Sequence, residues 1–277
     1  MLRQEQLTRY LWQSKPVEYK NPSLKCPHCK GTELIKRGLR TTLNRGQLQR
    51  YECKNCDKRF VENDGFYRMR NNGQKISGSL DMYYNGMSLR KCQSFLKTHY
   101  PHNASHMTIL RWIRKYAQQI SKLTDNIKVN NSNAITFDEV EYKTKGLRSW
   151  FIPVMDLDNR FIVSSEYTTD RSLGTFITLL SNAKRKELNP SYNFLTDGLH
   201  IYRKALKKVY KFKSHAKKFN HRICRSQDEK FNWEIERFNN TVRERTKVMR
   251  QFKALWSAKL IMKGFGYTTT IVDTIQA

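Results

Sequence analysis

Residues 134–167 read AITFDEVEYKTKGLRSWFIPVMDLDNRFIVSSEY, and this stretch decides the fold. Ala134–Tyr142 has the apolar–polar alternation of a strand. Arg148–Asp156 reads as a second strand, and Asp158-Asn159 turns the chain into a third, Arg160–Tyr167. Downstream, Leu173, Phe176, Ile177 and Leu180 share one helical face, and Asn189-Pro190 stops that helix. Tyr192–Thr196 is a short strand ending at Asp197-Gly198. Ile201, Ala205, Leu206 and Val209 mark another helix, and Lys211–Ala216 one further strand. A long helix runs from about Asp228 and buries Phe231, Ile235, Phe238 and Val242. A block of strands followed by helix–strand alternation predicts a mixed α/β sheet.

Upstream of this module the polar stretch Asn126–Asn133 (NIKVNNSN) reads as a linker, residues 126–133. Residues 67–125 carry helical periodicity. Ile76, Leu80 and Tyr83 share one face, and Asn85-Gly86 suits the left-handed geometry of a helix end. Ser88 and Ser105 are N-cap residues for the next two helices. The first of these turns Leu89, Cys92, Phe95 and Leu96 inward and is broken near Pro101. The second turns Ile109, Trp112, Ile113 and Tyr116 inward. Three short helices so punctuated suggest a helix-turn-helix. On the last, Thr108, Arg111, Arg114 and Lys115 lie off the apolar face and suit contacts with base edges or phosphates in a major groove. The same four residues also suit an ordinary solvated face.

Residues 21–66 hold Cys26-Pro-His-Cys29 and, 23 residues later, Cys53-Lys-Asn-Cys56. Two such knuckles fit one tetrahedral zinc with four thiolates, a closed and therefore structural site. Short-strand character at Glu33–Lys36 and Gln47–Cys53, a turn at Thr41–Gly46, and Tyr51 with Phe60 for a small core describe a zinc ribbon. His28 is a bystander. Cys92 and Cys224 read as buried small hydrophobes. Residues 1–20 form a polar arm.

Composition narrows the function. Among 277 residues, 52 Lys+Arg face 24 Asp+Glu, a formal net charge of +28, and the pI is about 10.0. Aromatics at 12% supply too many core anchors for a disordered polycation. A polyanion, with nucleic acid first, is the partner such a charge fits. No apolar run approaches the ~18 residues of a membrane-spanning helix, and no apolar leader segment opens the chain. A cytoplasmic, reducing location is the expectation, in which paired cysteines are metal ligands before they are disulfides.

Two acids stand out in the α/β module. Asp138 lies on its first strand and Asp197 at the carboxyl end of its fourth, so both reach one end of the sheet if these strands are neighbours. On the long helix Asn232, Glu236, Asn239 and Arg243 form a polar stripe beside the core stripe. Glu234 points to the other flank with Thr241 and Arg245. Three carboxylates converging on one point suit divalent metals that act on a phosphodiester. Taken singly, each of the three is equally a surface charge or a cap. Glu139, Glu141, Asp156, Asp158 and Asp170 read as turn, cap or solvent-facing residues. His200, His215 and His221 receive no role. From Arg203 to Arg222 there are nine Lys or Arg and no acid, and more bases follow Glu236. Arg243, on the Glu236 stripe, is the best phosphate contact near the acids, and Arg245 is a further candidate.

These segments resemble the insertion-sequence transposases with a DDE catalytic core on an RNase H-like fold, over roughly Gln74 to Gly266. YYNGMSLRKCQSFL with SHMTILRWIRKYA is similar to the helix-turn-helix that precedes many such cores. TFDEVEYKTKGLRSWFIPVMDLDNRFIVSSEYTTDRS, FLTDGLHIYRKAL and NWEIERFNNTVRERTKVMRQFKALWSAKLIMKGF are similar to the three catalytic motifs. The resemblance assigns Asp138, Asp197 and Glu236 as the triad, with 58 and 38 residues between them. It implies an RNase H-like catalytic domain over 134–277, holding Mg²⁺ or Mn²⁺. It further implies cleavage at element ends and transfer of the 3′-hydroxyl to target DNA, with no small-molecule substrate. Double-stranded DNA, at transposon ends and target, would be the partner of a homodimer or higher homo-oligomer. The setting implied is a prokaryotic-type, nucleoid-associated protein. Asn239 stands where many relatives carry His, so no role passes to it. The zinc ribbon is absent from many compact relatives. Another RNase H-like nuclease, or a non-catalytic DNA-binding regulator derived from a transposase, is the alternative.

Overall fold

The computed structural model describes residues 24–42, 46–61, 69–100, 104–189, 191–210, 219–223, 233–249 and 251–276. The expected arm at 1–20, the strand at Lys211–Ala216, and Pro101, Cys224 and Phe231 lie outside these residues. The chain divides into two compact units, 1–73 and 74–277.

The first unit holds an antiparallel sheet of β1 (Leu34–Thr42), β2 (Gly46–Cys53) and β3 (Arg59–Val61), in that order. β1 and β2 pair from Leu34↔Cys53 to Thr42↔Gly46, with a register shift between Lys36 and Leu39. Gly38 sits in that bulge at φ +75°, a conformation glycine adopts without strain. Tyr51 pairs with Phe60, and their rings stack at 5.8 Å, the small core expected of them.

The second unit opens with α1 (Gly73–Tyr84), α2 (Leu89–His99) and α3 (His106–Thr124). Both expected caps form: Ser88 Oγ accepts the Lys91 N–H at 3.3 Å and Ser105 Oγ the Thr108 N–H at 3.2 Å. Gly86 follows α1 at φ +93°. Ile109, Trp112, Ile113 and Tyr116 are all buried. Phe95, expected inward, is 42% exposed and packs against the His99 ring. Cys92 and Leu96, one turn apart, take the buried positions and leave Phe95 on their flank.

The sheet of this unit contains β4 (Ala134–Phe137), β5 (Val140–Thr144), β6 (Leu147–Asp156), β7 (Ile162–Thr168), β8 (Asn193–Thr196) and β9 (Asn220–Ile223). β6 and β7 are antiparallel, and β4 and β5 both run antiparallel along the other edge of β6. Phe137↔Val154 and Val140↔Phe151 belong to one continuous register. The strand expected over Ala134–Tyr142 is therefore a single line interrupted at Asp138-Glu139. β8 joins β4 in parallel, and β9 joins β8 in parallel. This is the mixed α/β class that the strand and helix pattern of the sequence predicts.

Helices cover both faces. α4 (Leu173–Lys186) and α5 (His200–Val209) pack on Ile135, Phe137, Ile152, Val154, Val163 and Phe194. On the other face Ile235 of α6 (Trp233–Thr246) packs with Met155 and Ile162, and α7 (Leu255–Gln276) lies against β7. Residues 151–156 are buried throughout, as a strand covered on both faces requires. Asp156 is fully buried. Its carboxylate accepts the N–H groups of Ser132, Asp158 and Asn159, so it is a turn acceptor and not solvent-facing. Asp170 accepts the Ser172 N–H and the Ser172 and Thr175 hydroxyls, which hold its carboxyl below the usual range and fix the start of α4.

Candidate active site and zinc centre

Strand alternation sorts the acids. Ile135 and Phe137 face α4 and α5. Asp138 therefore faces the α6 side and Glu139 the α5 side. On β8, Phe194 faces α5, so Asp197 shares the face of Asp138. The register adds depth. Ala134 pairs with Asn193, and each aspartate lies four residues beyond its member of that pair (138 − 134 and 197 − 193). Two carboxylates thus stand side by side at the carboxyl ends of adjacent parallel strands, where open α/β sheets present their sites.

α6 reaches this pair through Asn239, a residue to which sequence reasoning gives no role. Its Nδ2 donates to Asp138 Oδ2 at 2.9 Å. Asn239 is 1% exposed, and its buried Oδ1 has no partner among the described residues. The sequence does contain a signal: Asn239 lies four residues after Ile235 and three before Val242, inside the buried stripe. Burial pushes the Asp138 carboxyl up and the charge of Asp197 adds to it. The Glu139 N–H, the Asn239 amide and the Arg243 guanidinium pull the other way without cancelling the rise. Asp197 itself is exposed, with Oδ1 accepting the Leu199 N–H at 3.0 Å.

The third expected acid, Glu236, is exposed in the first turn of α6, one turn before Asn239. Among the described residues no hydrogen bond or ion pair joins it to either aspartate, and the three acids do not bring their oxygens within 4.8 Å of one another.

Glu139, expected at the surface, is a buried acid with 8% of its side chain exposed. Tyr202 donates to its Oε1 at 2.9 Å, and Arg171 pairs with its Oε2 at 2.6 Å. The Arg171 guanidinium also lies over the Trp150 ring at 5.3 Å. Burial raises the Glu139 carboxyl, Tyr202 and Arg171 oppose the rise, and Asp197 reinforces it. The period-2 pattern through Ile135 and Phe137 already directs this residue inward.

The expected DNA contacts fall into distinct settings. Arg111 is exposed. Thr108 belongs to the α3 cap, its Oγ1 3.0 Å from Ser105 Oγ. Arg114 is engaged within the fold: Nη2 donates to Ser257 Oγ at 3.1 Å, and the guanidinium lies over Trp256 at 4.5 Å. Lys115 is exposed, with its ammonium 5.5 Å from the Tyr116 ring. Arg243 is exposed and donates to Asn240 Oδ1 at 3.0 Å. Arg245 is half-buried, its backbone close to Gly86.

In the first unit the four cysteine sulfurs all lie within 4.8 Å of one another, placed to hold one zinc ion. The two knuckles repeat one design. The Lys30 N–H bonds the Cys26 carbonyl and the Asp57 N–H the Cys53 carbonyl, both at 2.9 Å, and Lys30 and Asp57 both have positive φ. Burial opposes ionisation of Cys26, but the N–H groups of Cys29 and His28 favour its thiolate and bring it down to about 6. The Lys58 N–H favours the Cys56 thiolate, yet burial and the neighbouring sulfurs push it up to about 12. Four thiols this close cannot all ionise without a cation among them, and a soft divalent ion suits the set.

No family model matches this chain, and no curated protein matches it. Among solved structures it is similar to a chain of the cryoEM structure of the simian T-cell lymphotropic virus intasome in complex with PP2A regulatory subunit B56 gamma. The identity is 10% and the TM-score 0.36, over 68% of this chain and 64% of that one. The chain thus spans less than two thirds of that chain's length. Among the described residues no helix is long and apolar enough to cross a membrane.

Proposed function

We propose that this protein is a DDE-type DNA transposase, cutting and joining DNA at the ends of an insertion sequence. The observation that carries the reading is that Asp138 and Asp197 each lie four residues beyond the paired Ala134 and Asn193, just past the ends of two adjacent parallel strands. The donor set fits a hard divalent cation: carboxylate oxygens, one of them half-buried and burdened by the charge of the other. Asp138 and Asp197 would hold the ion, with Glu236 of the first turn of α6 as the third carboxylate. Bound Mg²⁺ or Mn²⁺ would activate the attacking oxygen and stabilise the leaving one. Asn239 fixes the Asp138 carboxylate by its 2.9 Å bond. Arg243, which already stabilises charge on Asp138, presents its exposed guanidinium to a scissile-strand phosphate. The chain's own work is positioning and charge stabilisation.

In this reading residues 21–66 form the zinc ribbon, 67–125 the DNA-binding helices, 126–133 the linker and 134–277 the catalytic domain. Arg111 and Lys115 are the exposed contacts of α3, and joining two ends requires at least a homodimer on DNA. The test is plasmid nicking by purified protein at low salt with Mg²⁺ or Mn²⁺, wild type against Asp197→Asn. Metal-dependent nicking that disappears in the variant supports the reading. Equal nicking by both proteins overturns the site.

A further inference from the structure

The zinc module carries a projecting ribbon whose exposure a small folded sheet does not explain. β3 pairs with β2 only at Arg50–Glu52. Among the described residues, the sheet from Leu39↔Gln49 to Thr42↔Gly46 is β1 and β2 alone. A strand packed on one face buries alternate residues. Here all six residues from Lys36 to Thr41 are exposed, including Leu39 at 59%. On β2 opposite it, Gly46 and Gln47 are exposed too, and only Leu48 and Gln49 are half-buried.

Its charge is one-sided. Between Leu34 and Cys53 there are five Lys or Arg and one acid, Glu52. Arg37 is held by Glu52 at 2.9 Å, and Arg50 donates to the Arg37 carbonyl at 3.4 Å. Lys36 and Arg40 stand exposed, and the one acid of the hairpin is already bound by Arg37 and by Arg59. The Gly38 bulge adds twist to the ribbon. Two strands ~4.8 Å apart with their side chains match a major groove ~12 Å wide.

We infer that the β1–β2 ribbon is a DNA-binding arm that enters the major groove of duplex DNA, with Lys36 and Arg40 gripping the flanking phosphates. The zinc knuckles hold the base of this arm rigid. The inference rests on the ribbon's own geometry and goes beyond the carboxylate reading. Failure of nicking in the Asp197 test leaves it untouched.

The experiment uses the full-length, zinc-loaded protein and labelled duplex DNA of random sequence, followed by fluorescence anisotropy over a range of salt. The Lys36→Ala/Arg40→Ala protein should keep its zinc while the slope of log affinity against log salt falls by about 2. Affinity should drop roughly ten- to sixty-fold at ~0.1 M salt, the upper figure being two full phosphate contacts. Single-stranded DNA should lose much less. Unchanged duplex affinity and slope would overturn the inference. So would an equal loss on single strands, tighter binding of duplex RNA than of duplex DNA, or a wild-type dimer that the variant abolishes. If the double variant loses zinc, Arg40→Gln alone serves, with an expected slope change of about 1.

Discussion

Replacing Asn239 by Leu removes the amide from Asp138 and keeps nearly the same volume. The bond lost is a charge-assisted one at 2.9 Å, to a carboxylate that burial and Asp197 already hold above its ordinary range. Hydrogen bonds to charged groups contribute about 1.5–3 kcal/mol. Leu also removes Oδ1, which has no partner among the described residues, and this offsets about 1 kcal/mol. The expected net loss at neutral pH is about 0.5–2 kcal/mol, or a fall of roughly 1–8 °C in melting temperature for a unit of this size. The sign with pH follows from linkage. Asp138 titrates higher folded than unfolded, so its ionisation opposes folding, and stability falls as pH rises from ~3.9 through the raised folded value. Asn239 softens that fall. Below it Asp138 is protonated, the bond is an ordinary neutral one, and the variant should come close to wild type. Urea denaturation at a series of pH values measures this directly. A loss equal at acid and neutral pH, or no loss at either, would refute the assignment of Asn239 to the ionised carboxylate.

Other expectations follow from packing. A Cβ on Gly264 would stand 2.0 Å from the Tyr84 hydroxyl, so Gly264→Ala should destabilise the second unit by about 1–3 kcal/mol in thermal melts. Tyr84→Phe, which removes a buried hydroxyl that has no partner among the described residues, should be neutral or slightly stabilising. Cys53→Ser should abolish stoichiometric zinc in metal analysis and unfold the first unit, while circular dichroism retains the helices of the second. Arg114→Ala should lower the melting temperature through lost contact with Trp256 and Ser257, whereas Arg111→Ala should leave it unchanged and weaken preference among DNA sequences in competition binding.

The parts legible in the sequence are those set by local pattern. Periodicity locates the helices, and Ser88, Ser105 and Gly86 mark their ends through side-chain oxygens and backbone conformation that act over three residues. The knuckle spacing locates the four sulfurs that the fold gathers. What pattern alone does not supply is the partner each residue meets. Glu139 and Asp138 are neighbours that alternation sends to opposite faces, one into a buried pair with Arg171 and the other toward α6. Asn239 is polar and so reads as part of a solvated stripe, although a single carboxylate across the sheet supplies the partner that allows its burial. Arg114 likewise reads as a surface base until α7, more than a hundred residues away in sequence, places Ser257 and Trp256 against it. Long-range partners decide such residues, and local spacing does not contain them.

The parallel pairing of β4 with β8 has a consequence for how this protein can vary. Ala134 and Asn193 form a shared first rung, and the aspartates sit four rungs along on each rail. Between those rails the sequence holds turns at Lys145-Gly146 and Asp158-Asn159, neither of which is part of the β4–β8 ladder. A single residue inserted between Ala134 and Asp138, or between Asn193 and Asp197, would carry one acid ~3.3 Å along its strand and turn it to the opposite face. The spacing between the two acids in sequence is thus free to drift among functional descendants, while the four steps leading to each are not.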